Sequence, residues 1–515
     1  MDWTSGYVAE IDYTHGYYRE LAPGLIDFGL LLSGHEPPNR SGMRYLELGY
    51  GQGLSANIHA AAVAGEFWGA DFNPAHAGNA QSLAQHAQSQ AHFFDDSFGD
   101  MARRDDLPAF DYIVLHGVWS WVSDDNRRAI VEIIRRRLKV GGAVYMSYNT
   151  LPGWAMAMPL RHMMTLHAET VGSDAQGVVG RIEASIAFGS KLAEVGARYF
   201  AANPMAKQRL DAIAGQNRHY LAHEYFNRDW TPMYFSDAHA WLSDAKLSYA
   251  CAAALMDQMD GFNLTPAQQE ALNAIPYSVL RETVRDYLLN QQFRRDVYVR
   301  GARRLSQLER LERLNDIPVT LTTAPVDITH EVDAGLGKVN LKPEIYQPIV
   351  DALAADDASP KRIGDLAKTP ALAALPGGAL IEGLAVLIGS GRAHPAQSQA
   401  DCAVAAPRCQ RLNAYLIDRA RISGDVSCLA SPVIGAGVPV GRFEQMFLGA
   451  RARGLETPRA WAKDAWDILA TQNQAIVKNG AVLQGADANL EELTMQAKDL
   501  ADKRLALLGR LQVTG

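Results

Sequence analysis

The chain has 515 residues, of which 48% are hydrophobic and 21% are charged, so it can bury cores for about three or four folding units. This composition is not that of a disordered protein. Lys and Arg number 49 against 57 Asp and Glu, a net charge of -8, which disfavours nonspecific binding to the phosphates of nucleic acids.

Cysteine usage and hydropathy indicate where the protein resides. The four cysteines, at positions 251, 402, 409 and 428, are too few and too unevenly spaced for a disulfide scaffold or a paired-cysteine zinc site. The first residues lack the layout of a signal peptide. The longest weakly charged stretch, 370–391, contains Pro376 and Glu382, which a membrane helix would not tolerate well. We therefore expect a cytoplasmic protein that does not insert into a membrane.

Strand-like and helical patterns alternate over the first third of the chain. Strands are predicted at 43–48, 67–71, 91–95, 112–116 and 143–148. A helical insertion at about 152–235 follows, and two further strands are predicted at 247–251 and 296–300. This order predicts an α/β domain over residues 1–312, with a seven-stranded sheet covered by helices.

The remaining residues predict accessory domains. Short helices followed by an extended piece within 313–430 are typical of a winged-helix-like module. A Gly- and Pro-rich segment at 431–441 leads into a C-terminal helical region that ends at residue 515, with one long amphipathic helix at 490–511.

A glycine-rich turn after the first strand is the most informative motif. Gly49, Gly51 and Gly53 alternate between a strand and a helix, which lets a cofactor lie against the backbone. The spacing differs from G-x-G-x-x-G, and Glu47 would oppose a pyrophosphate. A carboxylate there suits a cationic ligand, and S-adenosylmethionine carries a sulfonium and an ammonium.

Acidic residues at the next strand ends extend this prediction. Asp71 ends the second strand, where it could accept hydrogen bonds from both ribose hydroxyls, and Phe72 could pack on adenine. Asp96 and Ser97 follow the third strand and offer a carboxylate and a hydroxyl to the adenine amino group.

These motifs resemble those of class I S-adenosylmethionine-dependent methyltransferases, through ELGYGQG, the strand-ending Asp71 and KVGG. HGVWSWVSDDNR, SYNTLPGW and HEYFNRDWTPMYF resemble bacterial members with a methyltransferase regulatory domain, a group that includes rickettsial protein-lysine methyltransferases. The resemblance covers about residues 1–310. It implies a Rossmann-like methyltransferase sheet, a regulatory part at about 215–300 and protein lysine as the first choice of acceptor.

The fourth and fifth strand ends provide candidate residues for the acceptor side. The fourth strand ends in HGVWSW and lacks the Asn/Asp-Pro-Pro-aromatic turn of nucleobase methyltransferases, which disfavours nucleic-acid substrates. His116 is a candidate general base or a polar wall beside the cofactor; alternatively, it only hydrogen-bonds backbone. Tyr148 and Asn149 leave the fifth strand at the edge where ligands bind, so we assign Asn149 a catalytic role and Tyr148 a substrate contact.

Aromatic segments predict a cap and a lid. Trp119 could line a cation–π slot or begin the next helix. Glu224 and Tyr225 could face the substrate from a lid, or belong to a packed aromatic helix. His219 and His223 are four residues apart, but an HExxH arrangement is absent, so we expect no metal. Tyr18 could fold over the cofactor with its N-terminal neighbours, or be ordinary packing.

Three functions remain open at this point. The first is a methyltransferase acting on protein lysine; the second is an O-methyltransferase acting on a sugar, a polysaccharide or a small metabolite. The third is a non-catalytic scaffold that binds the cofactor. A homodimer is compatible with each of them.

Overall fold

The computed structural model describes residues 15–172, 177–216, 221 and 225–514. Its largest sheet has seven strands in the order β3-β2-β1-β4-β5-β7-β6. These strands are β1 (Arg44–Leu48), β2 (Glu66–Ala70), β3 (Ala91–Phe94), β4 (Phe110–Leu115), β5 (Leu138–Asn149), β6 (Leu247–Ala252) and β7 (Phe293–Arg300).

The sheet confirms the predicted seven-stranded α/β fold. Strands β1 to β5 run parallel, and β7 lies antiparallel between β5 and β6. Every residue of β4 is buried, as the apolar run at 112–115 predicts for a central strand. The strand order reverses between β1 and β4, which is where open α/β sheets bind their ligands.

Helices connect the strands on both faces of the sheet. They are α1 (Pro23–Leu32), α2 (Leu54–Ala62), α3 (Pro74–Ala87), α4 (Phe98–Arg103) and α5 (Asp124–Arg137), with a 3-10 turn at Arg19–Leu21 and another at Trp119–Trp121. The side chain of Ser123 accepts a hydrogen bond from the Asn126 N–H and so caps α5. The last turn of α5 carries three arginines, which complement the negative end of the helix dipole.

The insertion between β5 and β6 is helical, as predicted, and has its own core. It contains α6 (Met158–Thr170), α7 (Gly177–Glu194), α8 (Arg198–Ala202) and α9 (Pro204–Ala214), and it is followed by α10 (Phe235–Ser243). Leu160, Met164, Ile186 and Leu210 belong to a hydrophobic cluster that is separate from those of the sheet. The insertion can therefore pack without taking side chains from the sheet core.

Between β6 and β7 lie α11 (Asp260–Asn263), α12 (Pro266–Asn273) and α13 (Ser278–Leu289). The helices of the C-terminal half are α14 (Gln307–Asn315), α15 (Pro343–Ala358), α16 (Ile363–Leu366), α17 (Pro370–Ala373), α18 (Ala379–Gly389), α19 (Gln399–Arg419), α20 (Arg442–Ala452), α21 (Pro458–Thr471), α22 (Ala486–Asp499) and α23 (Leu505–Arg510). Its strands are β8 (Pro318–Leu321), β9 (Glu331–Ala334), β10 (Gly337–Asn340), β11 (Lys361–Arg362), β12 (Ala393–Pro395), β13 (Cys428–Ser431), β14 (Ala436–Pro439), β15 (Val477–Lys478) and β16 (Ala481–Val482).

The C-terminal half combines small antiparallel sheets with helices. Strands β11, β8 and β12 form a three-stranded sheet, and β13 pairs with β14. The winged-helix assignment and the boundary at residues 312 and 313 remain predictions. In the part of the chain that the structure describes, every helix is too short or too polar to cross a lipid bilayer.

The two halves of the chain share one hydrophobic core. This core joins Leu54 and Ile58 of α2 to Leu412 and Leu416 of α19, and every residue of α2 is buried. Polar contacts continue the interface, because Arg408 donates to the backbone carbonyl of Ala61 over 3.2 Å. The C-terminal half thus packs directly on the helix that follows the glycine turn.

Candidate active site

Four candidate residues meet at one edge of the large sheet. Glu47 lies near the end of β1, Asp71 directly follows β2, His116 directly follows β4 and Asn149 ends β5. Because the carboxyl ends of parallel strands lie at the same edge, the fold brings these side chains to the point where the strand order reverses.

The glycine turn adopts a left-handed backbone at all three glycines. Their φ angles are 72° at Gly49, 56° at Gly51 and 74° at Gly53. A Cβ atom at Gly49 would lie 2.5 Å from the Val118 side chain, and one at Gly53 would lie 2.5 Å from the Cβ of Ala80. Packing as well as conformation therefore keeps side chains out of this turn.

Glu47 is a buried carboxyl group with an unused acceptor. Glu47 is 3% exposed. Within the described ranges its Oε2 atom has no hydrogen-bond partner. Burial, and secondarily the charge of Asp71, raises its pKa to about 8. A nearby cation would favour the ionised form of this carboxyl group and lower that pKa.

Asp71 ties the glycine turn to the second strand. The Gly51 N–H donates to Asp71 Oδ2 over 2.9 Å, and the Asn73 N–H donates to Oδ1 over 3.1 Å. His76 Nδ1 lies 3.0 Å from the same Oδ1 atom. Asp71 is 7% exposed, and these hydrogen bonds fix the turn beside a carboxylate whose charge also acts on Glu47.

The predicted adenine contacts have partners within the protein. Asp96 accepts from Arg104 over 2.6 Å, and the Arg104 guanidinium lies 4.0 Å from the centre of the Phe94 ring. Ser97 caps α4, since its hydroxyl accepts from the Asp100 N–H over 3.1 Å. Phe72 is half-buried next to Asp71. The adenine-binding roles of Asp96, Ser97 and Phe72 remain predictions.

His116 lies in an aromatic environment. Tyr18 stacks on it with ring centroids 3.9 Å apart, and its Nδ1 atom lies 2.8 Å from the Tyr145 hydroxyl. Burial, with a smaller effect from Arg295, lowers its pKa to about 3. His116 is therefore neutral at physiological pH and is a weak proton acceptor.

Asn149 is the fourth residue of this edge. It is 5% exposed, and within the described part of the chain its Nδ2 atom has no hydrogen-bond partner. Its backbone is fixed on both sides, because its N–H donates to Ser120 Oγ over 2.8 Å and its carbonyl accepts from the Met233 N–H over 3.0 Å.

Comparisons with known proteins identify the family. A model named methyltransferase domain matches residues 46–142, and a model named predicted methyltransferase regulatory domain matches residues 217–300. An uncharacterised protein of Synechocystis is 37% identical over 517 residues, which cover 100% of both chains. The chain belongs to the S-adenosylmethionine-dependent methyltransferases that carry a regulatory domain.

Solved structures resemble this methyltransferase over nearly its whole length. PKMT2 from Rickettsia typhi in complex with AdoHcy is 19% identical, with a TM-score of 0.65 over 97% of this chain and 99% of that chain. A second structure of PKMT2 from Rickettsia typhi is 20% identical, with a TM-score of 0.66 over 98% of this chain and 99% of that chain. An uncharacterised protein of Rickettsia prowazekii is 27% identical over 251 residues, which cover 48% of this chain and 42% of that protein.

The residues present fit the cofactor of this methyltransferase. The Glu47 oxygen that has no partner among the described residues can bind its ammonium group, and the turn has no side chains at Gly49, Gly51 and Gly53 that could collide with it. S-adenosylmethionine supplies an electrophilic methyl carbon when it is bound. The carboxylate of Asp71 has lone pairs beyond those that the turn uses, so it can also accept ribose hydroxyls.

Three predicted substrate contacts of the methyltransferase lie in its interior. Trp119 is fully buried, with its Nε1 atom 3.4 Å from Met233 Sδ, so it cannot line a cation–π slot. Tyr148 donates to Asp296 Oδ2 over 2.9 Å, because the strand alternation points it to the opposite face from Asn149. The Tyr225 hydroxyl accepts from Arg209 inside the insertion core.

The predicted lid residue Glu224 with its neighbouring histidines, and the predicted cap residue Tyr18, have different outcomes in this methyltransferase. Glu224, His219 and His223 lie outside the described residues. Tyr18 does lie at the site, through its contact with His116, which fits the predicted cap.

Further residues of the methyltransferase site are not marked by any sequence motif. Tyr145 shares its strand face with Asn149, and strand periodicity could have indicated this. Glu20 accepts from Arg295 over 2.8 Å, and the charge of Arg295 contributes to the lowered pKa of His116. Glu20 and Arg295 are far apart in the sequence, so no local pattern indicates their contact.

Proposed function

We propose that this methyltransferase transfers the methyl group of S-adenosylmethionine to the side-chain amines of protein lysines. The observation that carries the proposal is the neutral, aromatic wall formed by His116, Tyr18 and Tyr145. The fold likeness to PKMT2 over nearly the whole chain supports it.

The chemistry of the acceptor atom distinguishes amines from hydroxyls. A lysine ammonium has an ordinary pKa of about 10.4, and transfer into a weakly polar pocket lowers it. The amine can therefore lose its proton to water and attack the methyl carbon without a strong base. A sugar hydroxyl is far less acidic and needs a base at the site, and the pKa of about 3 makes His116 unsuitable.

Each residue then has a proposed role. Glu47 and Asp71 hold the cofactor through its ammonium and its ribose. The amide nitrogen of Asn149 donates a hydrogen bond to the acceptor chain, and His116 with Tyr18 excludes water from the reacting pair. Glu224 remains a candidate residue of the acceptor side.

The proposal is tested with S-adenosylmethionine that carries a tritiated methyl group. The purified enzyme is incubated with cell-envelope protein, and the Asp71→Ala variant serves as a control without cofactor binding. We expect enzyme-dependent label in methylated lysine after acid hydrolysis. Label found only in polysaccharide or small-molecule fractions would contradict lysine as the acceptor.

The pH dependence gives a second test. With an amine acceptor, the logarithm of kcat/KM should rise with a slope near 1 as the pH approaches the pKa of lysine. The His116→Gln variant should keep this slope, because His116 does not take the proton. A slope that disappears in this variant would show that His116 is the base and would favour a hydroxyl acceptor.

A further inference from the structure

Residues 15–20 lie between the methyltransferase sheet and the C-terminal half of the chain. Successive side chains contact opposite sides, from residue 15 into the 3-10 turn at Arg19–Leu21. His15, Tyr17 and Arg19 contact the C-terminal half. Tyr18 stacks on His116, and Glu20 accepts from Arg295 of β7.

Tyr17 makes the most specific of these contacts. Its hydroxyl accepts from the Gly437 N–H of β14 over 2.6 Å and lies 3.3 Å from His59 Nε2 on α2. A Cβ atom at Gly437 would lie 2.8 Å from the Cζ atom of Tyr17. The absence of a side chain at Gly437 thus lets the tyrosine ring pack against the strand.

The flanking residues anchor the segment on both sides of Tyr17. His15 Nδ1 lies 3.4 Å from Asp425, and Arg419 binds the same carboxylate over 2.5 Å. Arg19 donates to the backbone carbonyls of Ile388 over 2.7 Å and of Gly389 over 3.2 Å. Cations at the end of α18 also complement the helix dipole.

The methyltransferase half holds the other side of the segment. The Tyr18 N–H donates to Ser55 Oγ over 2.9 Å, in the first turn of α2. The Tyr18 ring lies parallel to His116 within 27°. The position of Tyr18 on the active-site wall therefore depends on residues on either side of it that bind the C-terminal half.

We propose that the C-terminal half positions the active-site cap, with Tyr17 and Gly437 as positioning residues that hold Tyr18 against His116. This assigns the C-terminal half a role in building the methyl-transfer site of its own chain. This role does not depend on which acceptor the enzyme methylates, since every contact that supports it lies between residues of this chain.

The experiment compares the Tyr17→Phe and Gly437→Ala variants with a Tyr346→Phe control. Tyr346 is buried in the same shared core, and no hydrogen bond or ring contact joins it to the described residues 15–20. Hydrogen exchange is measured by mass spectrometry on peptides that cover residues 15–22. Loss of the buried hydrogen bond should speed exchange there on the order of tenfold in both variants, and the control should match the wild type.

A spectroscopic measurement separates positioning from general destabilisation. The His116 resonance, assigned with the His116→Gln variant, reports its titration by NMR. In both positioning variants its pKa should move from about 3 towards its ordinary value of 6.5, because the stacked Tyr18 ring no longer shields it. The control should leave the titration unchanged.

Two outcomes would overturn the proposal. One is exchange at residues 15–22 and a His116 titration equal to the wild type in the Tyr17→Phe variant. The other is faster exchange spread evenly over the chain, which would mean that Tyr17 contributes only to global stability. If the Gly437→Ala variant does not fold, the Tyr17→Phe variant decides the question alone.

Discussion

Glu47 is expected to lower the stability of the ligand-free protein in exchange for affinity towards a cation. Its carboxyl group is buried, and its pKa is about 8 against an ordinary value of 4.5. Replacing it with Gln removes the titrating group and keeps its size. The pH dependence of stability should therefore differ between the wild type and the Glu47→Gln variant.

The sign and size of this difference follow from proton binding. Between pH 4.5 and pH 8 the folded protein keeps a proton on Glu47 that the unfolded chain has released. Stability is therefore present at low pH and is lost as the pH rises, by about 1.4 kcal/mol per pH unit. From pH 5.5 to pH 8 the wild type should lose about 3 kcal/mol more than the variant.

Urea unfolding of both proteins at pH 5.5 and pH 8 measures this difference. All other titrating groups are common to the two proteins, so their contributions cancel. Calorimetry with S-adenosylhomocysteine at pH 8 should show at least about tenfold weaker binding to the Glu47→Gln variant. An equal change of stability in both proteins, or unchanged affinity in the variant, would refute the assignment of Glu47.

Three further predictions concern packing. Gly53→Ala should lower the free energy of unfolding in urea by about 2 kcal/mol, because Gly53 has a positive φ and lies close to Ala80. Gly78→Ala, in open space on a helix, should raise the free energy of unfolding by about 0.5–1 kcal/mol. Equal effects of the two substitutions would contradict this prediction. Trp119→Ala should cost about 3–5 kcal/mol in the same assay, and a loss no larger than that of Trp121→Ala would contradict its burial. A chain of residues 1–312 should keep a cooperative thermal transition by circular dichroism, since both faces of its sheet pack within it, but at a lower temperature, since α2 loses its cover; an unchanged melting temperature would contradict the shared core.

The positions of the seven strands along the chain were predictable because each strand has its own apolar run and turn. Their boundaries were less so. The Gly141-Gly142 pair predicts the end of a helix, but β5 already begins at Leu138. Leu138 pairs with Phe110 across an irregular register. Because of this contact between distant residues, β5 also includes residues 138–142, which precede the predicted strand.

The candidate site was predictable where a residue ends a strand. Glu47, Asp71 and His116 are close in the structure because parallel strands end at one edge. Tyr148 was misassigned because both faces of β5 are buried, so its apolar sequence does not reveal which side faces the ligand.

Contacts between distant segments were not predictable at all. Tyr17 and Gly437 are 420 positions apart, and each looks locally like ordinary packing. Only the folded chain shows that they meet.

The enclosure of α2 has a consequence for biosynthesis. This helix leaves the ribosome early, but the side chains that cover it, such as Leu412 and Leu416 of α19, are translated hundreds of residues later. During that interval the nascent protein exposes an apolar helix beside an unfinished catalytic centre. Release of the complete polypeptide, rather than of its first half, is then the step that makes an active enzyme, and chaperones that shield apolar surface are the expected companions of its synthesis.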